Sequence, residues 1–126
     1  MNGSVKRDTY TAVSYARRHA SSVSHGRCAE FTRKAINEGG IDIGHTHFAR
    51  DYGRLLEKSG FRPIGAGEDP RAGDVVIIQP YPGGNPSGHM AIFDGTSWYS
   101  DFIQRDIWAG PGYRKVHPAY VIYRKN

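Results

Sequence analysis

Apolar side chains recur at helical spacing along the first half of the chain. The spacing predicts amphipathic helices over 8–20, 27–38 and about 46–59, each with one apolar stripe. Thr46 is expected to cap the start of the third helix, and Gly60 to follow its end in a left-handed conformation. The stripes consist of Tyr10, Val13, Ala16 and Ala20; of Cys28, Phe31, Ala35 and Ile36; and of Phe48, Tyr52, Leu55 and Leu56.

The period changes in the second half, where short apolar runs alternate with segments rich in glycine and proline. Such runs are typical of strands, and the glycine-rich and proline-rich segments between them of loops. The predicted strands cover 74–79, 90–94, 97–103 and 119–124, and the predicted loops cover 80–88 and 108–118. Helices followed by an antiparallel meander predict an α+β fold, with the N-terminal helices packed on a small antiparallel sheet.

Length and charge limit the partners that we expect. The 126 residues suit one domain over 1–126 with a single core, and a monomer is expected. Seventeen lysines and arginines against twelve acidic residues give a net charge of +5. The basic residues are scattered in pairs rather than runs, which favours a solvated surface, so no nucleic-acid partner is predicted. No apolar stretch is long enough for a membrane span.

Cys28 is the single cysteine, so no disulfide can form within the chain. It follows a polar loop and stands at the start of the predicted helix 27–38. A helix N-terminus carries partial positive charge, which favours the thiolate, and the thiolate is the nucleophilic form of cysteine. Cys28 is therefore the candidate nucleophile.

His89 is the candidate general base. It stands at the start of the predicted strand 90–94 and follows Gly88, where the backbone can turn sharply and aim the imidazole out of the sheet. The competing histidines have weaker settings for catalysis: His25 lies in the loop just before Cys28, and the remaining ones are His19, His45, His47 and His117.

The residue that orients the imidazole depends on the hairpin turn. A three-residue loop over 94–96 would place Asp101 opposite His89, where its carboxylate would fix the ring and stabilise the imidazolium. A two-residue turn would place Phe102 or Ser100 there instead. If Asp101 is not the orienting residue, the next candidates are Gln104 and Asp106.

The pair His45 and His47, with Asp42 or Asp51 nearby, has the residue types of a zinc site. The spacing is weakly specific, and no CxxC or HExxH pattern accompanies it. A hydrated loop is the favoured interpretation, and neither a metal nor any other cofactor is predicted.

Three segments occur in an order that resembles the NlpC/P60–CHAP superfamily of papain-like peptidoglycan amidases. They are Cys28 at a helix start, the segment Pro-Arg-Ala-Gly-Asp-Val-Val at 70–76, and the segment Gly-His-Met-Ala-Ile-Phe-Asp-Gly at 88–95. The resemblance extends over about 10–124 and implies a papain-like fold. It also implies that Cys28 is the nucleophile, His89 the general base and Asp101 the orienting group.

The chain departs from these families at two positions. Arg27 precedes the cysteine where the superfamily often has aspartate, and Ser22 stands where papain has a glutamine. We therefore expect the backbone N–H of Cys28 to be one oxyanion donor, with Tyr15 or a residue of loop 21–27 as the second. The loop 80–88 and the aromatic segment 98–113 are predicted to wall the substrate groove.

The resemblance implies a cysteine amidase or endopeptidase that hydrolyses amide bonds in the peptide stems or cross-links of peptidoglycan. The small size of the chain is similar to that of type VI secretion amidase effectors (Tae-like) and of phage-type lysis enzymes. In the first case the protein is an antibacterial toxin, and a cognate immunity protein would be its protein partner. The polar N-terminus predicts synthesis in the cytoplasm without a signal peptide, followed by delivery to the periplasm or cell wall.

Two other functions fit the same residues. The scattered basic residues and eight tyrosines suit a non-catalytic binder of nucleic acid or of another anionic polymer. A papain-like deamidase or transferase that acts on a protein would use the same Cys28, His89 and Asp101.

Overall fold

The structure, a computed structural model, describes residues 8–22, 26–65 and 67–125. Over these residues the chain forms four α-helices and a five-stranded antiparallel sheet, which confirms the predicted α+β class. The helices are α1 (Thr9–His19), α2 (Cys28–Glu38), α3 (Tyr52–Lys58) and α4 (Pro111–Val116), with a 3₁₀ turn at Ala49–Asp51. The strands are β1 (Arg62–Pro63), β2 (Val75–Ile78), β3 (His89–Phe93), β4 (Trp98–Tyr99) and β5 (Tyr120–Arg124).

Strand β2 lies at the centre of the sheet, whose order is β1-β5-β2-β3-β4. All four of its residues are buried, because strands flank it on both sides and apolar groups cover both faces. Its alternate side chains divide the core into two layers. Val75 and Ile77 join the layer that packs against α1, α2 and α3, whereas Val76 and Ile78 join a second layer with Trp98.

The predicted helices are present, with corrections at their ends and faces. The third begins at the 3₁₀ turn Ala49–Asp51 rather than at 46, so Thr46 does not cap it. Gly60 follows α3 with φ +98°, as expected. Tyr10 was placed on the buried stripe of the first helix, but it is 75% exposed and Ala12 is buried in its place.

Two short elements were not predicted. Helix α4 lies inside the segment that was expected to be a loop, where Pro111 occupies the first turn and Tyr113 is buried in the second core layer. Proline is well tolerated in a first helical turn, and packing of Tyr113 compensates for the low helix propensity of the glycines. Strand β1 contains Pro63, which a sheet accepts at its edge.

The hairpin of β3 and β4 has the two-residue turn rather than the three-residue loop. Ile92 pairs with Tyr99 and Phe93 with Trp98, so the turn residues are Gly95 and Thr96. The register that placed Asp101 opposite His89 is therefore wrong. Strand β4 ends at Tyr99, and the chain then folds back so that Ile103 forms a bridge with that same residue.

Helix α2 is fixed against the strand that carries His89. It packs on α1 and on β3, and the buried Thr32 hydroxyl donates to the Met90 carbonyl at 3.3 Å. Thr32 lies one helical turn after Cys28, so this bond fixes the start of α2 relative to the start of β3. None of the helices in the described part of the chain is long and apolar enough to cross a membrane.

Candidate active site

Cys28 is the first residue of α2, as the sequence predicted. The helix has no side-chain cap of its own at Arg27. Instead the Arg27 backbone N–H donates to Asp101 Oδ2 at 3.0 Å, so a carboxylate from a distant loop stabilises the N-terminus of the helix. His25, one of the alternative bases, lies outside the described residues.

Cys28 and His89 line the same cavity, which has a volume of about 180 Å³. Cys28 opens α2 and His89 opens β3, so the cavity lies where these two elements begin. Its other lining residues are Gly26, Asn85, Gly88, Phe102, Ala109 and Tyr113. The structure therefore brings together the predicted nucleophile and the predicted base, and Phe102 and Tyr113 of the aromatic segment line the same cavity.

Gln104 is the hydrogen-bond partner of the His89 imidazole, with 2.6 Å between His89 Nε2 and Gln104 Oε1. The Gln104 amide nitrogen donates to the carbonyls of Asp106 and Ile107 at 3.0 and 3.2 Å. These two bonds orient the amide so that its oxygen faces the ring. Nε2 must then carry the proton and donate it, which leaves the Nδ1 lone pair of neutral His89 as the basic site.

Asp101, the predicted orienting residue, is completely buried beside this network. One of its carboxylate oxygens accepts the Arg27 N–H, and the other accepts from the Ser100 hydroxyl at 3.4 Å. Burial lowers the pKa of His89, and the negative charge of Asp101 partly opposes this effect, so Asp101 favours the imidazolium. Asp106 contributes its backbone carbonyl to the Gln104 amide, while its side chain pairs with Arg114.

The comparisons with known proteins identify relatives among solved structures. The chain is 47% identical to a protein in the crystal structure of the type VI native effector-immunity complex Tae3-Tai3 from Ralstonia pickettii, with a TM-score of 0.88. The match covers 94% of this chain and 99% of that one. The chain belongs to the Tae3 family of type VI effectors.

The selenomethionine form of that Ralstonia pickettii complex gives a similar result. Its identity to the present chain is 48% and the TM-score is 0.84, over 90% of this chain and 98% of that one. No protein-family model matches the sequence, and no curated protein matches it significantly. Membership of the Tae3 family therefore rests on similarity to solved structures over at least 90% of the chain.

In this Tae3-family chain the raised pKa of Cys28 favours the thiol rather than the expected thiolate. Burial raises the pKa of Cys28 to about 11, and the Asp101 charge raises it further. Backbone N–H groups of Met90, Ala29 and Cys28 lower it, but burial outweighs them. Burial also lowers the pKa of His89. In this chain the two shifts favour a neutral thiol and a neutral imidazole at neutral pH.

Tyr113 lines the cavity together with this pair. Its ring centroid lies 6.0 Å from that of His89, and burial raises the pKa of its hydroxyl to about 12, with a smaller contribution from the Cys28 charge. Tyr15 was considered as an oxyanion donor. It stacks on His19 at 3.8 Å and does not line the cavity.

Gly88 forms the turn that immediately precedes His89, the first residue of β3. Its φ is +74°, and a Cβ atom at this position would lie 2.5 Å from the Ile78 carbonyl oxygen. Gly88→Ala should therefore lower the free energy of unfolding by about 1–2 kcal/mol for the left-handed backbone and by at least about 1 kcal/mol more for the clash. It should also reduce activity, because relief of the clash displaces His89. Thermal unfolding and hydrolysis assays measure both effects.

Gly83 provides a matched control for this substitution. Its φ is +88°, but nothing lies within 4 Å of the position of its Cβ. Gly83→Ala should therefore show only the backbone cost and keep full activity. Equal losses of stability and activity in the two variants would show that close packing at Gly88 does not position His89.

The remaining candidate residues lie elsewhere. His45 and His47 line a second cavity beside Cys28, and no group of three or more potential metal ligands occurs among the residues described. A larger cavity of about 620 Å³ lies against β5 and Trp98, and it contains neither Cys28 nor His89. Trp98 and Trp108 contribute to the second core layer rather than to the cavity with Cys28.

Proposed function

We propose that this Tae3-family effector is a cysteine amidase that hydrolyses amide bonds in the peptide stems or cross-links of peptidoglycan. The observation that carries the proposal is the fixed His89 imidazole, whose Nε2 donates to Gln104 while the ring shares a cavity with Cys28. Papain-like cysteine proteases use the same combination of thiol, imidazole and side-chain amide. Residues 1–126 would act as one catalytic domain.

The proposed reaction is acyl transfer through a thioester. His89 Nδ1 removes the Cys28 proton as the sulfur attacks the amide carbon, and a tetrahedral oxyanion forms. The backbone N–H of Cys28, at the N-terminus of α2, is a suitable oxyanion donor. His89 then protonates the departing amine, and in the second half it activates the water that hydrolyses the thioester. Asp101 stabilises the imidazolium of both steps.

The relatives support a role in type VI secretion and a protein partner. They are effectors of type VI secretion in complex with an immunity protein. We infer that the present chain is an antibacterial toxin that acts in the periplasm of a target cell, and that a cognate immunity protein blocks it in the producing cell. The net charge of +5 suits a wall polymer that carries carboxylates.

Digestion of purified peptidoglycan tests the proposal. The wild-type protein should release muropeptides that have gained one water at an amide bond, and mass spectrometry identifies that bond. The Cys28→Ala protein serves as the control and should release none. Intact wall after exposure to folded wild-type protein, or release of sugar fragments without amide cleavage, would contradict the proposal.

A further inference from the structure

A second cavity of about 240 Å³ adjoins the nucleophile. Cys28 and Gly26 line this cavity as well as the one that contains His89, so the thiol lies between the two. The second cavity is more polar, and it is bounded by residues of α2 and of the segment that precedes the 3₁₀ turn. Its other lining residues are Arg27, Ala29, Glu30, Arg33, His45, Thr46, His47, Ala49, Tyr52 and Ser87.

The acidic side chain of this cavity is already neutralised by two cations. Glu30 accepts bonds from Arg27 at 2.9 and 2.6 Å, and from Lys34 at 2.8 Å. These partners lower the pKa of the Glu30 carboxyl to about 2. Glu30 is therefore ionised, but Arg27 and Lys34 already neutralise its charge. It cannot also balance the charge of a further cation in the cavity.

Arg33 is that further cation. Its Nε atom is buried and has no hydrogen-bond partner among residues 8–22, 26–65 and 67–125, and no carboxylate of these residues forms an ion pair with it. Arg33 lines the cavity, and no carboxylate of the described residues balances its charge, so its guanidinium suits an anionic ligand. The cavity is thus electropositive next to the nucleophile.

We propose that the second cavity is a carboxylate-binding subsite, and that Arg33 is its specificity-determining residue. The proposal rests on the proposed function: the ligand would be a carboxylate of the wall peptide that flanks the scissile amide. A guanidinium binds a carboxylate through two parallel N–H···O bonds, which its two terminal nitrogens can form.

The position of Arg33 on α2 fits this ligand. Arg33 follows Cys28 by five residues, about 7.5 Å along the helix axis and about 140° around it, and both residues line the second cavity. An extended peptide covers that distance in about two residues. The subsite would therefore recognise a carboxylate one or two residues from the amide that Cys28 attacks. Acidic wall peptides would be good substrates, and peptides amidated at that carboxylate would be poor ones.

Matched substrates test the proposal. Two muropeptides are compared that differ only in whether the carboxylates near the scissile bond are free or amidated. The wild-type protein should hydrolyse the acidic form with a kcat/KM at least about 10-fold higher, the discrimination expected of a charged hydrogen bond. Arg33→Gln should lower kcat/KM for the acidic form by about 10- to 100-fold, mainly through KM, and leave the amidated form unchanged. Arg33→Lys should recover part of the preference.

Arg54→Gln is the matched control, because Arg54 is exposed on α3 and lines neither cavity at Cys28. It removes the same charge and should keep the wild-type preference. A wild-type protein without preference for the acidic form would overturn the proposal. So would an Arg33→Gln protein that loses both substrates equally.

A binding experiment separates this proposal from the proposed function. Calorimetric titration of the Cys28→Ala protein with the two muropeptides needs no cleavage. Tighter binding of the acidic form, lost on further substitution Arg33→Gln, would support the subsite even if the wild-type protein cleaved neither muropeptide, a result that would refute the amidase proposal alone. Equal affinities for the two forms would refute the subsite.

Discussion

Cys28→Ala is expected to lower amide hydrolysis by at least about 10⁴-fold, the scale of loss seen when a nucleophile is removed from a catalytic triad. His89→Ala should cause a similar loss, because the neutral thiol of the resting site cannot attack without a base. Since the two residues act in one step, the double variant should be no less active than either single variant. Release of muropeptides measured over time gives the three rates.

The control for these variants is His19→Ala. His19 is exposed at the end of α1 and lines neither cavity with Cys28, so the variant should keep full activity. Thermal unfolding of all variants checks that the fold is retained. Substantial hydrolysis by the Cys28→Ala protein would refute the thiol mechanism, whereas losses that add up in the double variant would show that Cys28 and His89 act separately.

The pH dependence follows from the same pair. His89 can accept a proton only when it is neutral, so hydrolysis should fall as the pH falls through the His89 pKa. Burial lowers that pKa below its usual 6.5, so the fall should occur on the acid side of this value. Alkylation of Cys28 by iodoacetamide should be slow at neutral pH and rise continuously toward the thiol pKa of about 11. Rapid alkylation at pH 6 would reveal a thiolate–imidazolium pair instead.

The sequence contains enough local information to place the proposed nucleophile and the proposed base. Cys28 belongs to a helix with clear periodicity, and His89 begins a strand of buried apolar residues that follows a glycine. Both assignments depend on patterns within about ten residues. The structure keeps both residues at the positions expected and adds the cavity that joins them.

The third member of the site could not be predicted with the same certainty, because it depends on a turn register. One residue more or less in the hairpin turn changes which side chain lies opposite His89. The actual register would bring Phe102 opposite His89, but β4 ends at Tyr99 and the chain folds back. Gln104 reaches the imidazole only because of this reversal, which no hydrophobic period indicates.

The protonation state of Cys28 could not be predicted from the sequence either. The position at a helix N-terminus is a local feature, and it favours the thiolate. Burial beneath neighbouring elements and the charge of Asp101 are tertiary features, and they raise the pKa. The tertiary contributions are larger here. The cavity with Arg33 could not be predicted from the sequence for the same reason, because residues of α2 and of a loop distant in sequence form it together.

Gln104→Ala is expected to lower kcat by about 10²- to 10³-fold, because the variant removes the acceptor that fixes the Nε2–H tautomer and leaves that N–H buried without a partner. Asp101→Asn retains an oxygen for the Arg27 N–H but removes the charge and the oxygen that accepts from Ser100, so we expect about a 10-fold loss, mainly from weaker stabilisation of the imidazolium. Comparison of the hydrolysis rates of the two variants shows whether orientation of His89 by Gln104 or the charge of Asp101 contributes more to the rate.

Nitrogen NMR of His89 distinguishes a positioning role of Gln104 from a merely structural one. The wild-type ring should be in the Nε2–H tautomer, and Gln104→Ala should give a mixture of tautomers although the protein remains folded. Asp101→Asn should keep the single tautomer and lower the His89 pKa, since the variant removes a charge that raises it. If Asp101→Asn instead changed the tautomer and cost more activity than Gln104→Ala, the carboxylate would be the group that orients the base, and Gln104 would only support it.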